Sequence, residues 1–255
     1  VKLLIGSTSQ ISNYFPISYA KINSRNISNK IFDKKYEEVH LPFGLNIKGK
    51  SQSEYDDINY YYTLDLIKDL LKTSDKIVVY STCELWSDCS GSIDLKTDYK
   101  FHQNEYILSK YKLTDSLKSL NNNKIIIVYP FNFNSTYRSE DFLFGKIFQS
   151  IIHNKKIKIG NTKYYRDLLH TSYVSKVCQN LNGDKIIGSG RMFFVNDFIR
   201  DLYRKFNLDY NELVEEISDW SFMPQNEYYL KGDFYNYNSL LKDTIKDIRL
   251  KINSL

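Results

Sequence analysis

This chain has little cysteine: 3 in 255 residues, at Cys83, Cys89 and Cys178, with no Cys-x-x-Cys pair. So few, so spaced, they exclude a disulfide framework and a cysteine zinc site, and they fit a reduced, cytoplasmic setting. No apolar run approaches the length of a membrane span, and no secretory signal pattern is visible. Internal repeats and low-complexity tails are absent, so a solenoid or a disordered arm is not expected. The formal net charge is +5. Its lysines are scattered, and without a basic stripe nucleic acid is not an expected partner. The mild positive balance suits an anionic ligand such as a nucleotide diphosphate.

What is present is alternation. Short β-branched runs at Lys2 to Ile5, Lys76 to Tyr80 and Lys124 to Tyr129 read as buried strands. Tyr36 to Leu41 reads as another, and Ile17 to Ile22 as a further one. Asp57 to Lys72 has helical periodicity, with Ile58, Tyr61, Leu64, Leu66, Ile67, Leu70 and Leu71 apolar. Asn104 to Leu120, Asp141 to Ile152, Phe194 to Phe206 and Leu240 to Ile252 read as helices, and Lys155 to Ile159 as a strand. Phe43 to Gln52 and Ser87 to His102 read as loops, and Trp220 to Tyr237 is an aromatic segment. Strands alternating with helices predict an α/β fold with a parallel sheet. The length suits one domain or a domain with a small lobe.

Tyr106 and Lys110 carry the chemistry. They lie at i and i+4 of a predicted helix and so share a face. An ammonium beside a phenol favours phenolate, pulling the Tyr pKa down from about 10 and making it a general acid or base for a hydroxyl or ketone. The chain is rich enough in Tyr and Lys that chance supplies about two such spacings, so context must decide. Upstream, the strand to Tyr80 runs into Ser81-Thr82-Cys83-Glu84-Leu85-Trp86, placing hydroxyls where parallel sheets bind ligands.

The order of landmarks resembles the extended short-chain dehydrogenase/reductase family of nucleotide-sugar epimerases, dehydratases and reductases. Ser81-Thr82 with Trp86-Ser87 is similar to that family's Ser-Thr and later Tyr-Gly. Tyr106 and Lys110 match its Tyr-x-x-x-Lys. Tyr129-Pro130-Phe131-Asn132 resembles Arg-Pro-x-Asn. Arg166 to Tyr173 resembles Arg-Asp-Phe-x-His/Tyr-Val-Asp-Asp. The match is good from about Ile58 to Val177. The resemblance implies a Rossmann-like doubly wound parallel sheet with a small C-terminal substrate-binding lobe. On it, residues 1–130 form the dinucleotide-binding core with the catalytic helix, and residues 131–255 complete the sheet and form the lobe. It also implies a homodimer through a four-helix bundle.

Thr82, Tyr106 and Lys110 would then act as a unit: Tyr106 moves the proton, Lys110 lowers its pKa and holds the nicotinamide ribose, and Thr82 orients the sugar oxygen. NADP or NAD would lie on Gly6, Ser7, Thr8, Ser9, Gln10 and Ile11, with Ser24, Arg25 and Leu41 beside it. The nucleotide-diphosphate sugar would meet Thr82, Cys83, Glu84, Asn132, Arg138 and Arg166. For Glu84 a tight-turn residue is the competing reading, and for Arg166 a local salt bridge with Asp167. His40 reads as structural, and His170 as packing.

The first third departs from the family. Gly6 stays in the pyrophosphate turn, but Ser9 and Ser12 replace the second and third glycines; Ser can donate to phosphate, although its Cβ limits close approach. Pro16 makes the first helix very short. No acid follows the second strand, and Ser24 and Arg25 suit a 2′-phosphate. The strand ending at Leu41 arrives early, as if one βα unit were missing. The dehydratases' Thr-Asp-Glu reads Thr82-Cys83-Glu84 here, which argues against dehydration, since a thiol is a poor acid substitute. The resemblance thus implies an NAD(P)-dependent nucleotide-sugar oxidoreductase, a 4-keto reductase or epimerase for surface polysaccharide sugars. The alternative is a sugar-nucleotide-binding or scaffolding subunit that has lost dinucleotide binding.

Overall fold

The computed structural model describes residues 1–217 and 226–255, so Trp220 of the aromatic segment lies outside the described residues. Two compact units divide the chain: residues 1–87, 98–130 and 174–187 form the first, and residues 88–97, 131–173 and 188–255 the second.

The first unit is built on a parallel sheet of β1 (Lys2–Ile5), β2 (Ala20–Ile22), β3 (Glu38–Leu41), β4 (Ile77–Tyr80), β5 (Ile125–Pro130) and β6 (Lys185–Ile187), in the order β6-β5-β4-β3-β1-β2. Val, Ile and Leu dominate β1, β4 and β5, as a sheet covered on both faces requires. Strand order reverses between β1 and β3, the switch point where ligands enter such sheets. The doubly wound order is the one the family resemblance implied.

The link from β1 to β2 carries only the 3-10 turn Gln10–Tyr14, as the position of Pro16 foretold. From β2 to β3 there is only the 3-10 turn Asn29–Ile31. β2 is the edge, and among the described residues no strand pairs outside it. This is the missing βα unit. Strand β2 is shorter than expected because Ile17 is fully exposed in a turn after Pro16.

One long helical run covers one sheet face. It consists of α1 (Gln52–Asp56), a π-helical stretch Asp57–Tyr62, and α2 (Thr63–Leu70). Ser51 and Glu54 close a capping box at its start. The wider π turn shifts the apolar phase, so Ile58 (41% exposed) and Tyr61 (56%) leave the core that simple helical periodicity assigned them. Next comes α3 (Glu105–Ser119), capped by the Asn104 side chain, which accepts from the Ile107 N–H at 2.8 Å.

The second unit packs α4 (Leu143–His153), α6 (Val195–Lys205) and α7 (Tyr237–Ile252) around Phe148, Phe198, Leu202, Tyr203, Leu240 and Ile248, all nearly inaccessible. Helix α5 (Thr171–Cys178) runs from the second unit into the first. Short strand pairs complete the second unit: Asn132–Asn134 with Leu168–His170, Ile157–Ile159 with Val214–Glu216, and Gly91–Ile93 with Tyr228–Leu230. The last pair corrects the expected Ser87 to His102 loop. Three residues including a glycine carry no readable alternation.

Candidate active site

Lys110 lies under the C-terminal end of β4. It is 6% exposed, and its Nζ donates to the Tyr80 carbonyl at 3.0 Å. Burial lowers its pKa from 10.5 to about 8. One turn along α3, Thr114 Oγ1 bonds Ser81 Oγ at 2.8 Å. These two contacts seat α3 on the end of β4. Tyr106 is one turn earlier on the same stripe, half-buried, with its ring edge-on to Tyr55 at 6.1 Å. Thr82 follows Ser81 and is buried. Its Oγ1 accepts from the Glu84 N–H at 3.2 Å, opening the 3-10 turn Cys83–Trp86. That bond leaves the Thr82 hydroxyl proton available to a ligand oxygen. Cys83 is buried, and Glu84 is half-exposed on the turn.

Sequence reading missed Asn59. It is 1% exposed on the π-helical stretch. Its Oδ1 accepts from the Leu45 N–H at 2.7 Å, and its Nδ2 donates to the Leu45 carbonyl at 2.9 Å and to Ser109 Oγ at 3.1 Å. Asn59 thus clamps the segment after β3 against α3. A Cβ on Gly44 would lie 3.0 Å from both Asn59 Oδ1 and Lys110 Nζ, so a larger residue there would push on both groups. The available signal was an amide on a helix otherwise packed by apolar residues.

The cost of holding Lys110 charged gives a prediction. An unfolded lysine keeps its proton until about 10.4, whereas this one releases it near 8. Stability therefore rises with pH between those values, and near neutrality the burial costs on the order of 3 kcal/mol. Lys110→Met should stabilise the protein by roughly 1–3 kcal/mol, less than the full cost because the Tyr80 carbonyl loses its donor. A higher melting temperature at pH 7 would be the sign; a lower one would mean the charge is not under strain.

The Gly6 turn is tight. Gly6 has φ +117°, and a Cβ there would come within 3.0 Å of Phe43 Cβ, just beyond β3. The Gly6 and Ser7 N–H groups both donate to the Ile22 carbonyl. Ser12 is buried, and its hydroxyl donates to the Gly6 carbonyl at 2.7 Å. This corrects the expectation that Ser12 donates to phosphate: it staples the turn instead. Thr8 is exposed; Ser7, Ser9 and Gln10 are half-exposed; Ile11 and Leu41 are buried, so only their backbones can meet a ligand. At the end of β2, Arg25 is exposed and its guanidinium has no hydrogen bond or ion pair among the described residues.

In the second unit, Asn132 is half-exposed and pairs in register with Leu168. Arg138 stacks over Phe142 at 3.7 Å. Arg166 donates to the Tyr165 carbonyl and lies 5.2 Å from the centre of the Tyr164 ring. It makes no salt bridge with Asp167. That carboxylate is fully buried and accepts from the Ser189, Gly190 and Leu230 N–H groups. Burial pushes Asp167 up to about 6 even against these donors. Asn134 is 1% exposed, and its amide has no partner among the described residues. No cluster of potential metal ligands occurs among the described residues, and no helix there is long and apolar enough to cross a membrane.

No family model matches the chain, and no curated protein matches it in sequence. Its fold has solved counterparts. RMD from Pseudomonas aeruginosa, complexed with NADPH, superposes with TM-score 0.75 at 13% identity, covering 98% of this chain and 99% of that one. MoeE5 in complex with UDP-glucose and NAD gives 0.79 at 14%, covering 98% and 99%. A UDP-N-acetylglucosamine 4-epimerase from Methanobrevibacter ruminantium, in complex with UDP-N-acetylmuramic acid, gives 0.76 at 12%, covering 100% and 98%. The chain therefore shares the Rossmann-like α/β fold of these solved proteins.

Proposed function

We propose that this chain is an NAD(P)-dependent nucleotide-sugar oxidoreductase, a 4-keto reductase or epimerase. The observation that carries the reading is the buried ammonium of Lys110, held on the Tyr80 carbonyl one helical turn from Tyr106. Keeping an ammonium out of water on one carbonyl is costly, and such groups cluster at functional sites. The likeness in fold to proteins solved with NADPH, NAD and UDP-sugars supports it.

The residues present fit a dinucleotide. Gly6 takes φ +117° in the turn after β1, beside the switch point of the sheet, and Lys110 Nζ stands next to the Gly44 segment. Gly6 to Ile11 would hold the pyrophosphate, Lys110 the nicotinamide ribose, and Arg25 a 2′-phosphate, which favours NADP. When bound, the dinucleotide supplies hydride exchange with a sugar carbon. Tyr106 gives its proton to the sugar oxygen, or takes one from it, as that carbon is reduced or oxidised. Thr82 donates a hydrogen bond to the same oxygen, an electrostatic contribution of about 2–4 kcal/mol. Water elimination is disfavoured, because Cys83 is buried where the dehydratases have an acid. Asn132, Arg138 and Arg166 would bind the nucleotide diphosphate. The exposed Ile58 and Tyr61 support a homodimer through this helical face.

Calorimetric titration of NADPH and NADH, followed by a screen of 4-keto sugar nucleotides, tests the reading. Micromolar binding of NADPH is expected. With folded, cofactor-free protein, binding of neither would leave a sugar-nucleotide-binding subunit without redox chemistry. Arg25→Ala should weaken NADPH roughly tenfold or more and leave NADH unchanged. Equal losses for both would remove Arg25 from cofactor choice.

A further inference from the structure

The sheet ends at β2, yet its outer end is not bare. Tyr62, the last residue of the π-helical stretch, reaches from the helical face to donate its hydroxyl to the Ser24 carbonyl at 2.6 Å. Its ring lies edge-on to Phe43, 6.0 Å between centres. Phe43 lies beside Gly6, where an added Cβ would meet Phe43 Cβ at 3.0 Å. Gly6, Phe43, Tyr62 and Ser24 therefore gather at the C-terminal ends of β1, β3 and β2, at the switch point. Tyr62 keeps 37% of its surface exposed, so part of its ring faces solvent beside the unpaired Arg25. The Asn23 side chain accepts the Arg25 N–H at 2.9 Å and fixes that turn.

We propose that Tyr62 is the aromatic wall of an adenosine subsite, standing where the absent outer βα unit leaves the edge of the sheet open. This rests on the dinucleotide reading above and adds to it the residue that holds the far half of the ligand. A flat phenol ring offers a purine a surface to stack on. A guanidinium one residue beyond Ser24 offers a 2′-phosphate its fork. The two groups sit at the same strand end, which suits a 2′-phosphorylated adenosine. The hydrogen bond to Ser24 holds the ring in place before a ligand arrives, so little ordering cost remains on binding. The π turn supports this arrangement: Tyr62 and the buried Asn59 belong to the same stretch, one reaching β2 and the other clamping the segment beside Lys110.

Isothermal titrations with NADPH and with adenosine 2′,5′-bisphosphate test it on wild type, Tyr62→Ala and Tyr62→Phe, each verified as folded by circular dichroism. Tyr62→Ala should weaken both ligands by the same factor, roughly five- to a hundredfold. Tyr62→Phe keeps the ring and loses only the tether, so it should lie between the other two. Wild-type affinity for both ligands in Tyr62→Ala would overturn the inference while leaving the dinucleotide reading intact. A loss for NADPH alone would move the effect to the nicotinamide half and overturn it too. Failure of wild type to bind either ligand would remove the dinucleotide reading itself, and the subsite with it.

Discussion

Tyr106→Phe is expected to lower turnover roughly a hundred- to ten-thousandfold while leaving the fold and nucleotide binding in place. Removing one hydroxyl removes the proton that must reach the sugar oxygen, and no other group on the α3 stripe can supply it. The next residue along that stripe, Lys110, donates to the Tyr80 carbonyl, and its remaining donors are assigned to the ribose. Thr82 can orient the oxygen, but a hydroxyl with no base beside it is a poor acid. The ring of Tyr106 is half-buried against Tyr55, and Phe preserves that contact, so melting temperature should hardly change. The comparison needs the sugar nucleotide that wild type turns over, with kcat read at saturating NADPH. Full activity in the Phe variant would sink the proton-transfer assignment, whatever the cofactor does.

How much of this was legible depends on which physical signal each element carries. Strands β1, β4 and β5 are runs of buried aliphatic residues, and such runs announce themselves. Helix α3 was readable from about Asn104 to Leu120, with Tyr106 and Lys110 four residues apart on it. The run through Ile58 and Tyr61 was readable as a helix but not in phase, because a π turn leaves no mark in apolar periodicity. Strand β3 was found, but its chemistry was hidden. Glu38 and His40 alternate with Val39 and Leu41, the pattern of a strand wet on one face, yet all four residues are buried. Asn59 and Tyr62 were illegible for a related reason: their partners, Leu45, Ser109 and Ser24, come from distant stretches of chain. The lack of a salt bridge between Arg166 and Asp167 is the same lesson, since adjacency in sequence did not reveal that Asp167 holds three backbone amides.

The buried charge on β3 leads to the second large effect, on stability. Glu38 is 2% exposed and His40 is inaccessible. The Glu38 carboxylate accepts from Tyr19 at 2.7 Å, meets His40 Nε2 at 2.7 Å, and pairs with Lys76. On the far side of the imidazole, Nδ1 meets the Tyr80 hydroxyl at 3.0 Å. The set is satisfied with neutral His40, Nε2–H donating to Glu38 and Nδ1 accepting from Tyr80. Burial alone would raise the Glu38 pKa, but the His40, Lys76 and Tyr19 hydrogen bonds outweigh it and hold the carboxyl well below its usual range. Burial lowers the His40 pKa, against the pull of Glu38. Both folded values lie below the unfolded ones, so in acid the unfolded chain binds more protons. The His40 contribution is complete above about pH 6.5 and lost as pH falls through its folded value; the Glu38 contribution is complete above about 4.3 and lost further down. Asp167, raised to about 6, works against this between pH 6 and 4, so denaturant midpoints should fall from pH 7 to pH 4 in an Asp167→Asn background. Glu38→Ala strands Lys76 and His40 without their anion and should cost about 3–5 kcal/mol at pH 7, or roughly 6–20 °C in melting temperature for a chain of this size. A loss below about 1 kcal/mol would mean water replaces the carboxylate, and that the network, though buried, does not hold β3 in the sheet.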